Sequence, residues 1–132
     1  MPKIVLGARP KTLTLPAKFE HLDGTKDAIE VQYIYRTRDE FAAWIDERAK
    51  EAGESAAAEA VTIEGNAETM ARIFEMQDKS IASHIVGIAS GWNLAEPLTL
   101  ETALQLQREH PAAATAIIQT YRSAIVEGRR GN

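Results

Sequence analysis

Apolar and polar residues alternate strictly from Thr12: Leu13, Leu15, Ala17 and Phe19 fall on one side, Thr14, Pro16, Lys18 and Glu20 on the other. A two-residue period of this kind marks a half-buried β-strand. Pro16 has no N–H to give to a ladder, so the strand belongs at a sheet edge or carries a bulge there. Asp23-Gly24 follows, a pair suited to the positive φ angles of a tight hairpin turn. A second alternation then sets Ile29, Val31, Tyr33 and Tyr35 against Glu30, Gln32 and Arg36. Together the two runs predict an antiparallel hairpin over 11–36, which is marginal in water on its own and needs a cover for its apolar face.

Beyond residue 36 the period changes to that of a helix. Thr37-Arg38-Asp39-Glu40 reads as a capping box, in which the Thr37 hydroxyl takes an N3 amide and Glu40 reaches back. Phe41, Trp44, Ile45 and Ala49 form one stripe, predicting a helix over 38–52 with Trp44 in the core and Gly53 as its stop. Residues 53–66 have two readings: helix by alanine propensity at Ser55 to Ala60, or a short third strand at Val61-Thr62-Ile63-Glu64. That alternation tips the reading towards an extended segment. Asn66 caps a long helix over 66–90 that carries Met70, Ile73, Phe74, Ile81, Ile85 and Ile88 at helical spacing.

Gly91 ends that helix, and Trp92 is read either as folding back on its last turn or as an anchor in a partner interface. Thr99 caps the next helix, 99–109, with Leu100, Ala103 and Leu104 as its inner stripe and Leu98 in the position of a hydrophobic staple. His110-Pro111 interrupts the pattern, since proline suits a first helical position. A last helix over 111–127 has Ile117, Tyr121, Ala124 and Ile125 on one face and closes at Gly128, leaving 128–132 as a mobile basic tail. The expectation is one α+β domain over 1–132, with an N-terminal antiparallel β-hairpin or small sheet packed on about four helices.

Composition narrows the class. With 45% hydrophobic and 26% charged residues in 132, the chain is an ordinary globular protein. It has no cysteine, which excludes disulfides, thiolate nucleophiles and Cys-type zinc sites and fits a reducing cytoplasm. The apolar run near the N-terminus is broken by Gly7, Arg9 and Pro10, too early for a signal peptide, and no stretch approaches the roughly 20 apolar residues of a membrane span. The net charge of −4 is unevenly laid out: residues 37–79 hold eleven acids against five Lys and Arg, and 108–132 hold four Arg against two Glu. An acidic middle disfavours nucleic acid.

Reacting groups are scarce. No Gly-rich phosphate loop, His-Glu-x-x-His or Gly-x-Ser-x-Gly turn occurs. Ser83 and His84 are neighbours, but adjacent helical side chains point about 100° apart. Asp39-Glu40 and Asp46-Glu47 lie outside the apolar stripe, as a solvated face does. His84 sits between Ile81 and Ile88 as a hydrogen-bonded core group, while His21 and His110 fall in a turn and at a helix start, so no catalytic residue, metal or cofactor is assigned.

The order of elements resembles the tail assembly chaperones of long-tailed bacteriophages and prophages. The likeness rests on a β-rich start, a hydrophobic stretch running into Gly91-Trp92, Pro97-Leu98-Thr99-Leu100-Glu101 opening a helix, and His110-Pro111-Ala112-Ala113-Ala114 opening the next, with Ile117 and Tyr121. The ending Gly128-Arg129-Arg130-Gly131-Asn132 completes it. The match is best over 84–132. What the resemblance implies is a non-enzymatic protein of the bacterial host's cytoplasm that binds and solubilises the tape measure protein, helps recruit tail tube subunits, and is absent from the mature virion. In many such phages a frameshifted longer form of the same chain exists, and its extension would begin at the C-terminal tail. Client contact is expected around Trp92, Leu98, Leu100 and Tyr121, with Arg122, Arg129 and Arg130 as a charged rim. Two rival readings are a structural tail component, such as a terminator or adaptor, and a helix-turn-helix regulator over 84–126. The regulator would have only Arg122 as a base on its presumed recognition helix.

Overall fold

The computed structural model describes residues 6, 7, 10–62 and 69–129. The hairpin forms with β1 at Thr12–Glu20 and β2 at Lys26–Ile34. Its register sets Leu13 opposite Tyr33, Leu15 opposite Val31 and Ala17 opposite Ile29, so the apolar halves of both alternations share one face. Gly24 takes φ 86° in the turn, and the Asp23 carboxylate accepts from the Thr25 N–H at 2.9 Å. Pro16 lies on an edge strand, as its missing N–H requires.

β2 is central because a third strand, β3 at Ala89–Trp92, joins its other side in the order β1-β2-β3. The strand suggested for 61–64 does not form at its first two residues, which are helical; Ile63 and Glu64 lie outside the described residues. Val31 faces Trp92, Gln32 faces Gly91 and Tyr33 faces Ala89, which leaves Ser90 as the extra residue of a bulge. The 66–90 helix therefore stops short. The observed α2 spans Met70–Ile88, and Ala89 turns to extended geometry at φ −129°, ψ 142°. Its cap is Thr69, whose hydroxyl accepts from the Arg72 N–H at 3.2 Å, whereas Asn66 lies outside the described residues. Thr69 offers the same capping oxygen three residues later, one turn nearer the apolar stripe.

Helix α1, Arg38–Thr62, opens on the expected capping box: Thr37 N donates to Glu40 Oε1 at 2.9 Å and Glu40 N to Thr37 Oγ1 at 3.3 Å. It does not close at Gly53. That glycine has negative φ with open space where a Cβ would stand, and the six residues after it are mostly alanine and glutamate, whose propensity outweighs a cost of about 1 kcal/mol. Phe41 is buried and Trp44 and Ile45 are half-buried, but Ala49 is exposed, so the inner stripe ends at Ile45.

Helix α3 spans Leu100–Glu109 and α4 spans Pro111–Arg122, separated at His110, with Pro111 at the first turn of α4. A π-helical turn, Ser123–Glu127, continues α4 to Gly128 in the left-handed conformation at φ 71°. Thr99 and Thr102 cap α3 reciprocally: Thr102 N donates to Thr99 Oγ1 at 3.1 Å, and Thr99 N to Thr102 Oγ1 at 2.8 Å. Thr99→Ala is expected to lower stability by about 1 kcal/mol, measured as a shift in the urea midpoint at unchanged slope.

The core lies between the sheet's apolar face and α4. Ala113 and Ala114 are fully buried, and their small side chains let α4 lie close to the strands carrying Ala17 and Val31. α2 and α3 flank α4, and Ile85, Ile88 and Ala103 complete the packed interior. The architecture is α+β, a three-stranded antiparallel sheet with four α-helices among the described residues.

Candidate functional site

Trp92 is neither in a helical corner nor in a plain linker. It is the last residue of β3, paired with Val31, and its indole Nε1 donates to the Glu96 carbonyl at 2.7 Å. Asn93 prolongs the ladder with its own side chain: its N–H donates to Glu30 O at 3.0 Å, and its Oδ1 accepts from Glu30 N at 3.0 Å. The large ring closes the loop of residues 93–96 onto the sheet, which accounts for an aromatic at that point in the chain.

The half-buried ring of Trp92 forms one wall of an open cleft of about 380 Å³. Phe19, His21 and Asp27 at the turn end of the hairpin form another, and Thr102, Leu106 and His110 close it from the helices. His21 Nε2 lies 2.8 Å from Asp27 Oδ2. That contact, with the Ala28 N–H, holds the Asp27 carboxyl below the usual carboxylate range. Phe19 and His110 stand edge-on to the His21 ring at 5.2 and 6.1 Å. No group of three or more His, Cys, Asp or Glu among the described residues converges as a metal site.

Ser83 and His84 are drawn apart. Ser83 Oγ accepts from Arg48 Nη1 at 3.0 Å, while the His84 ring stands edge-on to Trp44 at 4.8 Å, an aromatic contact in place of the expected hydrogen-bonded setting. Burial, then Arg48 and Arg36, push the His84 pKa down to about 4, so the ring is neutral at neutral pH. Asp39, Glu40, Asp46 and Glu47 are exposed on α1 and do not line the Trp92 cleft.

The residues expected at a client surface divide. Trp92 and Leu98 are half-buried and Leu100 is 55% exposed, all within the β3–α3 connection. The prediction of Leu100 as part of an inner stripe is therefore corrected. Ala103 and Leu106 are the buried positions of α3, Leu104 is half-buried, and Leu100 at the helix's first residue is left uncovered. Tyr121 is fully buried and cannot touch a partner in this conformation. Its hydroxyl donates to Ile34 O at 2.9 Å and accepts from Arg36 Nη1 at 3.1 Å. Arg122 and Arg129 are exposed at the end of α4 and beyond the π-turn, and neither lines the Trp92 cleft; Arg130 lies outside the described residues.

Sequence reading missed Phe19 and Leu94 as walls beside Trp92, because both fit simpler local roles in a strand face and a loop. It also placed Met70 and Phe74 in the core stripe of α2, although they are 62% and 53% exposed. The helical period showed that they share a face with Ile81 and Ile85 but not how far along that face the neighbouring helices reach.

No helix among the described residues is long and apolar enough to cross a membrane. Neither a curated protein nor a solved structure matches the chain at a significant level. A family model described as phage tail assembly chaperone matches residues 1–132, the whole length. With the Gly91-Trp92 and Pro97-to-Glu101 segments in place at the β3–α3 corner, the chain belongs to the phage tail assembly chaperone family.

Proposed function

We propose that this member of the family binds the tape measure protein in the cytoplasm of the bacterial host, keeps it soluble, helps recruit tail tube subunits, and leaves before the virion is complete. The whole-length family match is the observation that carries this reading. The proposed contact is the β3–α3 corner, which carries half-buried Trp92 and Leu98 and exposed Leu100. An apolar corner held by a hydrogen-bonded strand end and a capped helix is pre-organised, so little ordering entropy opposes binding. Arg122, Arg129 and Arg130 contribute at most a charged rim, and Tyr121 supports α4 from inside.

Co-expression with the tape measure protein tests the reading. A soluble complex that co-purifies is expected. A tape measure protein that stays insoluble while this chain remains free would overturn it, and finding the chain in purified virions would favour a structural tail component. Within a soluble complex, Leu100→Asp is expected to weaken binding by about tenfold or more, and Trp92→Ala by a similar factor, as for anchors at an interface centre. Normal binding by both variants, with circular dichroism showing them folded, would remove the corner as the contact.

A further inference from the structure

The cleft that Trp92 walls joins aromatic rings to carboxylates without a lysine or arginine to balance them. Phe19, Trp92, His21 and His110 supply the rings, and Asp27, Glu96 and Glu109 the acids. The two imidazoles are its other ionisable groups, and no lysine or arginine lines it among the described residues. The bases nearest in sequence stand apart from it. Lys26 is opposite Glu20 in the last pair of the hairpin, and Lys18 lines the separate hollow between β1 and α4. Arg108 lies along α3 beside Glu101, with its Nε 4.0 Å from Asp78 Oδ2.

These groups are held in place before any ligand arrives. Asp27 Oδ1 accepts from the Ala28 N–H at 2.7 Å and Oδ2 lies 2.8 Å from His21 Nε2, contacts that keep the carboxyl ionised. Its side chain is still 54% exposed, and each oxygen has a further lone pair, so another donor can reach it. Glu109 is steadied by Gln105 Nε2, which donates to its Oε2 at 2.8 Å, and the Trp92 ring is pinned through its indole N–H to the Glu96 carbonyl. We propose that this cleft holds an arginine side chain presented by a partner protein, its guanidinium paired with the carboxylates and its stem against the aromatic walls. The inference stands on the cleft alone and does not depend on whether the β3–α3 corner meets the tape measure protein.

The chemistry of the walls selects this occupant over others. An anion meets three carboxylates and is repelled, and nucleic acid brings its phosphates to the same surface. A neutral apolar side chain could cover the rings, but it would strip water from the acids and give them no partner. A metal ion finds no converging group of ligands among the described residues. A cation satisfies both components, since it pairs with carboxylates and is attracted to aromatic faces. Arginine does so better than lysine: its planar guanidinium is more weakly hydrated, stacks on rings and offers five donors to acids on different elements. At about 380 Å³ the cleft lies near the lower end of the usual range for ligand sites, about 300–1,000 Å³, which suits one long side chain.

An NMR titration of the full chain with N-acetyl-arginine methylamide tests this at about pH 7.5, above the usual midpoint of an imidazole. Saturable shifts are expected at the Trp92 indole N–H and the Ala28 amide, with a Kd of about 1–10 mM for a single side chain. The citrulline counterpart, which has the same shape without the charge, should not saturate, and the lysine counterpart should bind more weakly than arginine. Asp27→Asn and Glu109→Gln should each weaken binding about threefold, and together about tenfold if their effects multiply. Glu109 is exposed, so its variant keeps the test valid should Asp27→Asn disturb the hairpin turn. Leu100→Asp, outside the cleft, should leave the titration unchanged whatever it does to tape measure binding, which separates the two readings. Citrulline or lysine binding as tightly as arginine would overturn the inference, as would unchanged affinity in both acid variants. So would sedimentation of the wild-type chain as a dimer that Asp27→Asn dissociates, because the cleft would then belong to a second copy.

Discussion

Tyr121→Ala is expected to cost about 3–5 kcal/mol, a large share of the stability of a domain this size. The ring is fully buried, stacks on Tyr33 at 5.3 Å and meets Phe41 edge-on at 5.6 Å, so its removal empties the junction of α4, β2 and α1 together. Its hydroxyl adds a polar component. It donates to the carbonyl of Ile34, where β2 ends, and accepts from Arg36, whose other terminal nitrogen donates to Gly87 O at 2.9 Å. Burial raises the Tyr121 pKa, with Arg36 partly opposing the rise, so the phenol stays protonated and able to donate.

Tyr121→Phe keeps the ring and deletes only those two hydrogen bonds. The expected cost is about 1–2 kcal/mol, because the Ile34 carbonyl and the Arg36 nitrogen lose a partner in a half-buried setting. Urea unfolding of the three proteins separates the contributions, provided the slope is unchanged. Equal destabilisation by Phe and Ala would mean that the hydroxyl and not the ring organises the junction. A marginal effect of Ala would mean that the site collapses around the gap. Either result would contradict the packing described here.

The same residue shows what a sequence can and cannot convey. Helical spacing correctly grouped Ile117, Tyr121 and Ile125 on one face of the last helix, and all three are buried. Spacing says which residues share a face, but not whether that face meets the core or a partner, and Tyr121 was assigned to a client on the strength of the resemblance. The hairpin was legible because a two-residue period, Asp23-Gly24 and an edge proline all agree. Both threonine caps at Thr37 and Thr99 were legible because capping is a local chemistry of four residues. β3 was not, since Ala89-Ser90-Gly91-Trp92 is too short to show a period and owes its extended form to β2 alongside. Gly53 misled for the opposite reason: one helix-weakening residue was weighed above the alanine-rich stretch after it. The exposure of Met70 and Phe74 on α2 is a tertiary fact with no local signature.

Gly87→Ala should destabilise the protein, although the same change inside a helix ordinarily stabilises by about 1 kcal/mol. A Cβ at position 87 would overlap Cζ2 of the Trp44 ring. That ring has little room to retreat. Arg36 lies over it at 4.6 Å and Arg48 at 5.2 Å from its centroid, Phe41 stacks nearby at 6.1 Å, and His84 stands edge-on at 4.8 Å. Both guanidinium groups are themselves anchored, Arg36 on Gly87 O and Tyr121 and Arg48 on Ser80 O and Ser83. Displacing the indole therefore disturbs the cation–π contacts that fasten α1 to α2. The expected net loss is about 1–3 kcal/mol, the range for overpacking. Removing the obstacle should reverse the sign: in a Trp44→Ala background, Gly87→Ala is expected to stabilise by up to about 1 kcal/mol, because only helix propensity remains. A double-mutant cycle of the four proteins by urea denaturation measures the coupling, which should exceed about 1 kcal/mol for residues in direct contact. A stabilising Gly87→Ala in the wild-type background, or a coupling near zero, would show that α1 and α2 are not held together through this tryptophan. In that case the glycine would owe its place to something other than the close approach of the ring.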